Sequence, residues 1–268
     1  VAPLTNDSVF DLTDLPRRLI VLGGGPIGME LGQAFRRLGS EVVVLEGARA
    51  FGRDDPELAA VALERIRGEG VALREGARIL RFERRPDGDV AAILAGPAGE
   101  ETVTGSRVLV AAGRLPNLED LGLAAAGIQH GAPGITVDRG LRTSNRRVYA
   151  IGDCAAVAGR PPLRFTHVAG HHGGLAVRSI LFRLPVRERR EIVPWVTYTD
   201  PEIGWVGLTE AEARERHGAA VQVLRRPLAE NDRARTERAT EGLVKLVVGR
   251  GGRILGAANG TGRILVGC

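Results

Sequence analysis

Cysteine is scarce in this chain: Cys154 and Cys268 are the only two in 268 residues. Two thiols so far apart exclude a disulfide framework and favour a reducing compartment. Lysine is scarcer still, Lys245 being the only one, so the formal net charge of +5 is carried by arginine. Acidic residues are interleaved with the arginines, as in RRLGSEVVVLE and ERIRGEG, which reads as a solvated surface and not as a nucleic-acid stripe. There is no apolar run long enough to span a bilayer and no signal-peptide pattern, so a cytoplasmic protein with no membrane partner is expected. His171 and His172 are adjacent and share no helix face. With no cysteine or carboxylate at ligand spacing beside them, no metal site is expected.

What the chain has in excess is glycine, 37 residues, much of it where strands turn into helices. Apolar content of 44% and charged content of 26% suit a globular chain with more than one core. The apolar pattern predicts a strand over 19–22, a helix over 26–38, a buried strand over 41–45, a helix over 56–66 and a strand over 71–73. Either Asp54 or Asp55 can cap the second helix, with Pro56 at an early position. Short strands over 77–84 and 89–94 flank a turn at 86–88, and a buried strand follows over 108–112. This order, βαβαβ with a meander and a return strand, describes one nucleotide-binding domain over about 16–113. Beyond it a strand is expected over 148–151 and a helix over 165–184. The connection LPVRERREIVP reads as a boundary. An α+β segment follows, with strands over 195–199, 205–206, 221–224, 243–248 and 253–257 and a helix over 209–217. The closing GTGRILVGC echoes GGRILGA, too briefly to establish a repeat.

The most informative stretch is LIVLGGGPIGMELGQAFRRLGSEVVVLE, residues 19–46. Gly23, Gly25 and Gly28 form G-x-G-x-x-G between a predicted strand and a predicted helix. In that setting the glycines allow a tight turn, close approach of backbone to a pyrophosphate, and close helix–strand packing. Pro26 and Ile27 complete the loop at the helix start. Glu46 closes the next strand at the interval expected of an acidic residue that accepts from an adenosine ribose. Its charge repels a 2′-phosphate, so NAD is favoured over NADP, with Arg49 and Arg53 as the residues that could offset that charge.

Two further motifs, VLVAAGRLPN at 108–117 and VYAIGDCAAV at 148–157, join this fingerprint and PWVTYTDPEIGWVGLTEAEA at 194–213. Together, in this order, they resemble the flavin-dependent pyridine nucleotide–disulfide oxidoreductases. The branch they resemble is the dihydrolipoamide dehydrogenase and mercuric reductase group, and AENDRA at 229–234 leans toward its mercuric-reductase-like members. The resemblance implies an α/β fold: a Rossmann-like NAD-binding domain inserted in an incomplete FAD-binding domain, then a partial α+β dimerisation domain. Residues 1–15 would end a first FAD segment, 16–113 form the NAD domain, 114–190 the second FAD segment and 191–268 part of the interface domain of a homodimer. It also implies that Gly23, Gly25 and Gly28 hold the NAD pyrophosphate and Glu46 the ribose, with Glu30 and Gly113 near the nicotinamide half. Asp153 would accept from the FAD ribityl chain, with Gly152 leaving room, and His167, Val168 and Ala169 would face the flavin.

The departures from the family pattern are equally specific. The family carries a first glycine fingerprint for FAD and a redox cysteine pair spaced by four residues; neither stands in this sequence. Thiol–disulfide exchange needs one thiol to attack and one to resolve, and Cys154 reads as a small buried hydrophobe. The family's terminal histidine–glutamate pair has no counterpart after Ala257; His217 reads as a helix end, and Glu202 as part of a turn. The resemblance therefore implies a chain short at both ends, with no catalytic residue of its own, weak or absent FAD binding and exposed apolar surface. The parent would pass electrons between NAD(H) and a disulfide or mercuric ion. The alternatives are a non-thiol NADH:acceptor reductase or transhydrogenase, and a non-enzymatic NAD-binding or assembly module.

Overall fold

A computed structural model describes residues 2–261. The chain divides into two compact units, one of residues 1–113 with 194–268 and one of residues 114–193.

In the first unit the strand β1 (Arg18–Leu22) leads into helix α1 (Pro26–Leu38), strand β2 (Glu41–Leu45), helix α2 (Pro56–Gly68) and strand β3 (Ala72–Arg74). The antiparallel strands β4 (Ile79–Arg84), β5 (Val90–Gly96) and β6 (Gly99–Gly105) follow, then β7 (Arg107–Val110). The parallel sheet has the order β3-β2-β1-β7, with Ile20 paired to Val43 on one side and Val108 on the other. Parallel strands need cover on both faces. Met29 of α1 and Leu58, Ala62 and Ile66 of α2 bury one face; Ala92, Leu94 and Val103 of the meander bury the other, against Ile20, Val43 and Leu45. The third meander strand, β6, lies outside the predicted pattern. Its sequence, GEETVTG, has little to bury, and only Val103 and Gly105 are buried.

The second unit holds strands β8 (His130–Gly131), β9 (Gly134–Val137) and β10 (Ala155–Val157) and helix α3 (Thr166–Ile180) around Val137, Leu141, Ala150 and Leu175. The strand expected over 148–151 is reduced to one antiparallel bridge, Arg142 to Tyr149. Its residues are apolar enough, but among the described residues no parallel neighbour lies alongside, and an unpaired strand is not a ladder. The helix expected to reach Leu184 ends at Ile180. Ile180, Leu181, Phe182 and Leu184 are at least 46% exposed.

The chain then returns to the first unit. Strand β11 (Trp195–Thr197), strand β12 (Glu202–Gly207), helix α4 (Glu210–His217), strand β13 (Gln222–Pro227), helix α5 (Asp232–Glu237), strand β14 (Leu243–Val248) and strand β15 (Ile254–Thr261) complete it. Their sheet is antiparallel, in the order β11-β12-β15-β14-β13. Thr209 and Glu212 form a reciprocal capping box at the start of α4. Helix α5, missed by periodicity because it spans only six residues, is capped by Asn231. Ile203 and Leu243 pack into the core that contains Leu58, so this sheet and the parallel one share buried surface. The GTGRILVGC echo and Cys268 fall almost wholly outside the described residues.

Candidate functional site

The loop between β1 and α1 is built around three glycines with different reasons to be glycine. Gly23 has a φ of +102°, and a Cβ there would lie 2.5 Å from the Ala111 carbonyl oxygen. A Cβ on Gly28 would lie 2.0 Å from the Gly23 carbonyl oxygen, closer than any atom pair tolerates, so α1 can sit this near β1 only with glycine there. Gly25 differs. Its φ of −80° is open to any residue, and a Cβ would meet nothing within 4 Å. Among the described residues, none fills the space within 4 Å of that position.

That space faces the start of α1. Pro26 occupies the first helical position and has no N–H to lose. The first helical bond runs from the Met29 N–H to the Gly25 carbonyl, at 3.0 Å. The N–H groups of Ile27 and Gly28 find no acceptor among the described residues, and no side chain caps the helix. Unpaired donors and the positive end of a helix dipole are features that favour negative charge at this end of α1.

Glu46 stands one residue past β2, half-buried. Its carboxylate accepts from the Gly24 N–H at 2.6 Å and from the Ala48 N–H at 2.8 Å. The acidic group and the glycine loop are therefore already one hydrogen-bonded unit. Arg49 and Arg53 lie just beyond it and are exposed. Behind the loop, the Phe51 N–H donates to the Gly24 carbonyl at 2.9 Å, with Phe51 itself 1% exposed. Gly113, at φ +126°, stands exposed with nothing near its Cβ position.

Glu30, one turn along α1, accepts from the Tyr198 N–H at 2.8 Å. Burial raises its pKa, and the Tyr198 bond opposes that rise. Gln33 continues the same helix face: its amide donates to the Asp200 carbonyl and accepts from the Asp200 N–H, both at 2.8 Å. Arg37 then donates to the Asp200 and Glu69 carboxylates, each at 2.6 Å. Three side chains on one face of the helix thus fasten it to the TYTD segment, a connection that periodicity did not reveal.

Asp55 is the residue that caps α2, accepting from the Glu57 N–H at 3.0 Å. Asp54, its neighbour, is buried with neither carboxyl oxygen hydrogen-bonded among the described residues, and burial pushes its pKa up to about 7. Lys245 is 2% exposed and donates to Asp55 and Glu57 at 2.7 Å, with Glu210 at 2.9 Å. Burial alone would lower its pKa, but the three carboxylates outweigh that and hold it above the usual lysine value. The signal for this cluster was present: a lone lysine inside the apolar run LVKLVV.

In the second unit, Gly152 has a φ of +72°, and a Cβ there would lie 3.1 Å from that of Ala169. Its N–H donates to His172 Nδ1 at 3.2 Å. His172 is buried, and burial first, then His171, lowers its pKa. It is thus held as a neutral acceptor, a role that sequence reasoning missed. Asp153 is half-exposed, 3.5 Å from the Arg114 guanidinium. The ring of His167 stacks on Phe165, Val168 is fully buried, and the N–H groups of Val168 and Ala169 both donate to the Phe165 carbonyl. Cys154 is only half-buried, with its Sγ 3.3 Å from the Ile151 carbonyl. The described residues contain no group of three or more histidine, cysteine or acidic side chains arranged to hold a metal. No helix among them is long and apolar enough to cross a membrane.

Comparison with known proteins identifies the family. Residues 1–173 match the family model of pyridine nucleotide-disulphide oxidoreductases, and residues 193–261 match the dimerisation domain of the same family. The chain belongs to that family. Among curated members, a mercuric reductase of Streptomyces lividans is 38% identical over 267 residues, covering 98% of this chain and 55% of that protein. A dihydrolipoyl dehydrogenase of Thermus scotoductus is 39% identical, covering 87% of this chain and 50% of that one. A crystal structure of LpdA from Mycobacterium tuberculosis superposes with a TM-score of 0.86 at 31% identity, covering 96% of this chain and 55% of that one. The flavoprotein disulfide reductase RclA from Escherichia coli, in its Cu(II) complex, gives 0.83 at 28% identity, covering 96% of this chain and 60% of that one. The chain spans about half the length of the curated relatives it matches. Family membership associates it with FAD- and NAD-linked oxidoreduction, and its 268 residues contain no closely spaced cysteine pair.

Proposed function

We propose that this chain carries the NAD(H)-binding domain, and part of the FAD-binding domain, of an oxidoreductase that passes electrons between NAD(H) and a disulfide of the lipoamide type or mercuric ion. The observation that carries the reading is the vacant space at Gly25, faced by the unpaired Ile27 and Gly28 N–H groups. Gly23, Gly25, Pro26, Ile27 and Gly28 would hold the pyrophosphate, Glu46 the adenosine ribose, and Glu30 and Gly113 the nicotinamide end. Bound NADH supplies a hydride. The chain's own part is to bind and orient: fixed N–H donors neutralise phosphate charge, and the glutamate accepts from the ribose hydroxyls. A 2′-phosphate beside Glu46 is repelled, so NAD is preferred to NADP.

Gly152, Asp153, His167, Val168 and Ala169 would belong to the FAD site, with His172 fixing the Gly152 turn. Domain borders at 1–15, 16–113, 114–190 and 191–268 accompany this reading, as does homodimer formation through the C-terminal segment. Thiol chemistry needs two cooperating cysteines, which these residues do not contain, so no step of it is assigned to them. A second reading is a non-thiol NADH:acceptor reductase or transhydrogenase; NADH-driven dye reduction without a thiol requirement would select it.

Calorimetric titration tests the binding site. NADH is expected to bind about tenfold more tightly than NADPH. Gly25→Ala, whose Cβ meets no described residue within 4 Å, should keep the melting temperature and weaken NADH binding by about tenfold or more. Gly28→Ala should instead lower the melting temperature, because its Cβ collides with backbone. Equal NADH affinity in wild type and Gly25→Ala would overturn the assignment.

A further inference from the structure

The net charge is not spread evenly over the molecule. Residues 114–193 contain twelve arginines and six acidic residues, a balance of +6, whereas the other residues contain 25 basic and 26 acidic side chains, a balance of −1. The even mixing read from short stretches holds for the first unit and fails for the second. Excess charge of one sign, gathered on one compact unit, sets up a field that draws anions.

Within that unit an open pocket of about 620 Å³ lies between the 138–149 turn and the end of α3. Arg142, Arg146 and Arg183 line it, and none of the three pairs with a carboxylate among the described residues. Elsewhere in the chain arginines do find partners: Arg37, Arg81 and Arg225 each bridge two carboxylates. The single acidic residue of the lining, Asp138, is already engaged, its Oδ1 accepting from the Gly140 and Arg142 N–H groups at 2.7 and 3.0 Å.

Arg142 is also held in place. Its Nε donates to the Tyr149 hydroxyl at 2.6 Å, and its guanidinium lies 5.3 Å from the centre of that ring. The Tyr149 hydroxyl in turn shares a hydrogen bond with Ser179 at 3.3 Å. A guanidinium anchored through Nε keeps both terminal nitrogens for a ligand, and little freedom remains to be lost on binding. Ile180, Leu184 and Val186 supply an apolar wall beside the charges.

We propose that this pocket is a binding site for a phosphorylated small molecule, distinct from the glycine-loop site. Three guanidiniums exceed what one carboxylate can neutralise and match a dianionic phosphate, which accepts bidentate contacts from more than one arginine. The apolar wall and the pocket's size fit a compact organic body attached to that phosphate. One cluster of three arginines does not match the long row of phosphates that a duplex presents.

The probe is inorganic pyrophosphate, titrated calorimetrically into the full chain at low salt. Saturable binding is expected, weakened at least tenfold in Arg142→Gln/Arg183→Gln and less in Tyr149→Phe. Any binding at the glycine loop persists in the double variant, so the difference between the two proteins reads this pocket. Circular dichroism and a melting curve check that the variants fold. Arg146→Gln, a change at an exposed side chain with no carboxylate partner among the described residues, gives a second reading and should also weaken binding. Unchanged affinity in both arginine variants, or no saturable heat from wild type, would overturn the proposal. So would a short DNA duplex that binds more tightly than pyrophosphate through the same arginines, which would make the surface a nucleic-acid site.

Discussion

Asp54 lies in the turn that backs onto the glycine loop: its N–H donates to the Phe51 carbonyl, and the Phe51 N–H donates to that of Gly24. Only 8% of it is exposed, and nothing among the described residues hydrogen-bonds its carboxyl oxygens. Its folded value of about 7 stands above the ordinary carboxylate value, so between these values the native state holds a proton that the unfolded state has released. The contribution to stability is full below about pH 4 and is lost as the pH rises toward 7, by on the order of a few kcal/mol. Asp54→Asn should therefore melt higher than wild type at pH 8 and no higher at pH 5. Parallel pH profiles for the two proteins would remove the carboxyl as the cause. Lys245 makes the opposite point, because a buried charge here is fully engaged. Lys245→Ala leaves Asp55, Glu57 and Glu210 facing one another and should cost about 3–5 kcal/mol in urea unfolding. A loss below about 1 kcal/mol, the usual worth of an exposed pair, would show that Arg225 alone neutralises the cluster. His172 belongs to the same scale: an acceptor for Gly152 that its HisHis neighbourhood did not advertise.

Helix α1 shows how one element serves two surfaces. Its start faces the vacant space at Gly25, and its side carries Glu30, Gln33 and Arg37 to the 198–200 segment. Gln33 is 3% exposed and pairs with both backbone groups of Asp200. Gln33→Ala removes the partner of both backbone groups of half-buried Asp200, and an equilibrium unfolding series should find a loss of about 1–3 kcal/mol. The helix was legible from its apolar stripe, from Pro26 at its start and from Gly39, which ends it at φ +113°. What it fastens to was not legible, because polar residues on a helix face look alike until a partner is placed beside them. Strands followed the same division. The runs at 19–22 and 42–45 are apolar throughout and were readable as parallel strands. Residues 148–151 have the same character but form a single bridge, since pairing depends on a neighbour and not on composition alone. Strand β6 went unread for the converse reason: GEETVTG is polar and glycine-bounded, and its pairing with β5 makes it a strand.

At the scale of the molecule, the chain crosses between its compact units at 113–114 and at 193–194. The second crossing follows LPVRERR, where Arg187 and Arg189 are exposed and Glu188 is buried. Limited trypsin digestion should nick first in this stretch, at Arg189, because backbone there carries few hydrogen bonds and opens locally at low cost. First cuts inside residues 18–110 would contradict that order of local stability. The same division explains the charge. Summed over the whole chain, +5 suggests little; assigned to units, it becomes +6 on one and −1 on the other, and the arginine pocket lies in the positive one.

The amino-acid order by itself determined the dinucleotide fingerprint, the helix and strands that present it, and the acidic residue that closes the second strand. These depend on backbone conformation and short-range periodicity, which a few neighbouring residues dictate. Tertiary structure alone decided that Gly25 is open while Gly28 is packed, that Asp54 is buried and Asp55 caps, and that Lys245 meets residues 190 and 188 positions away. It also decided that three arginines share one pocket. Those outcomes turn on burial and on charges that meet across long separations, and neither carries a period that a linear sequence can display.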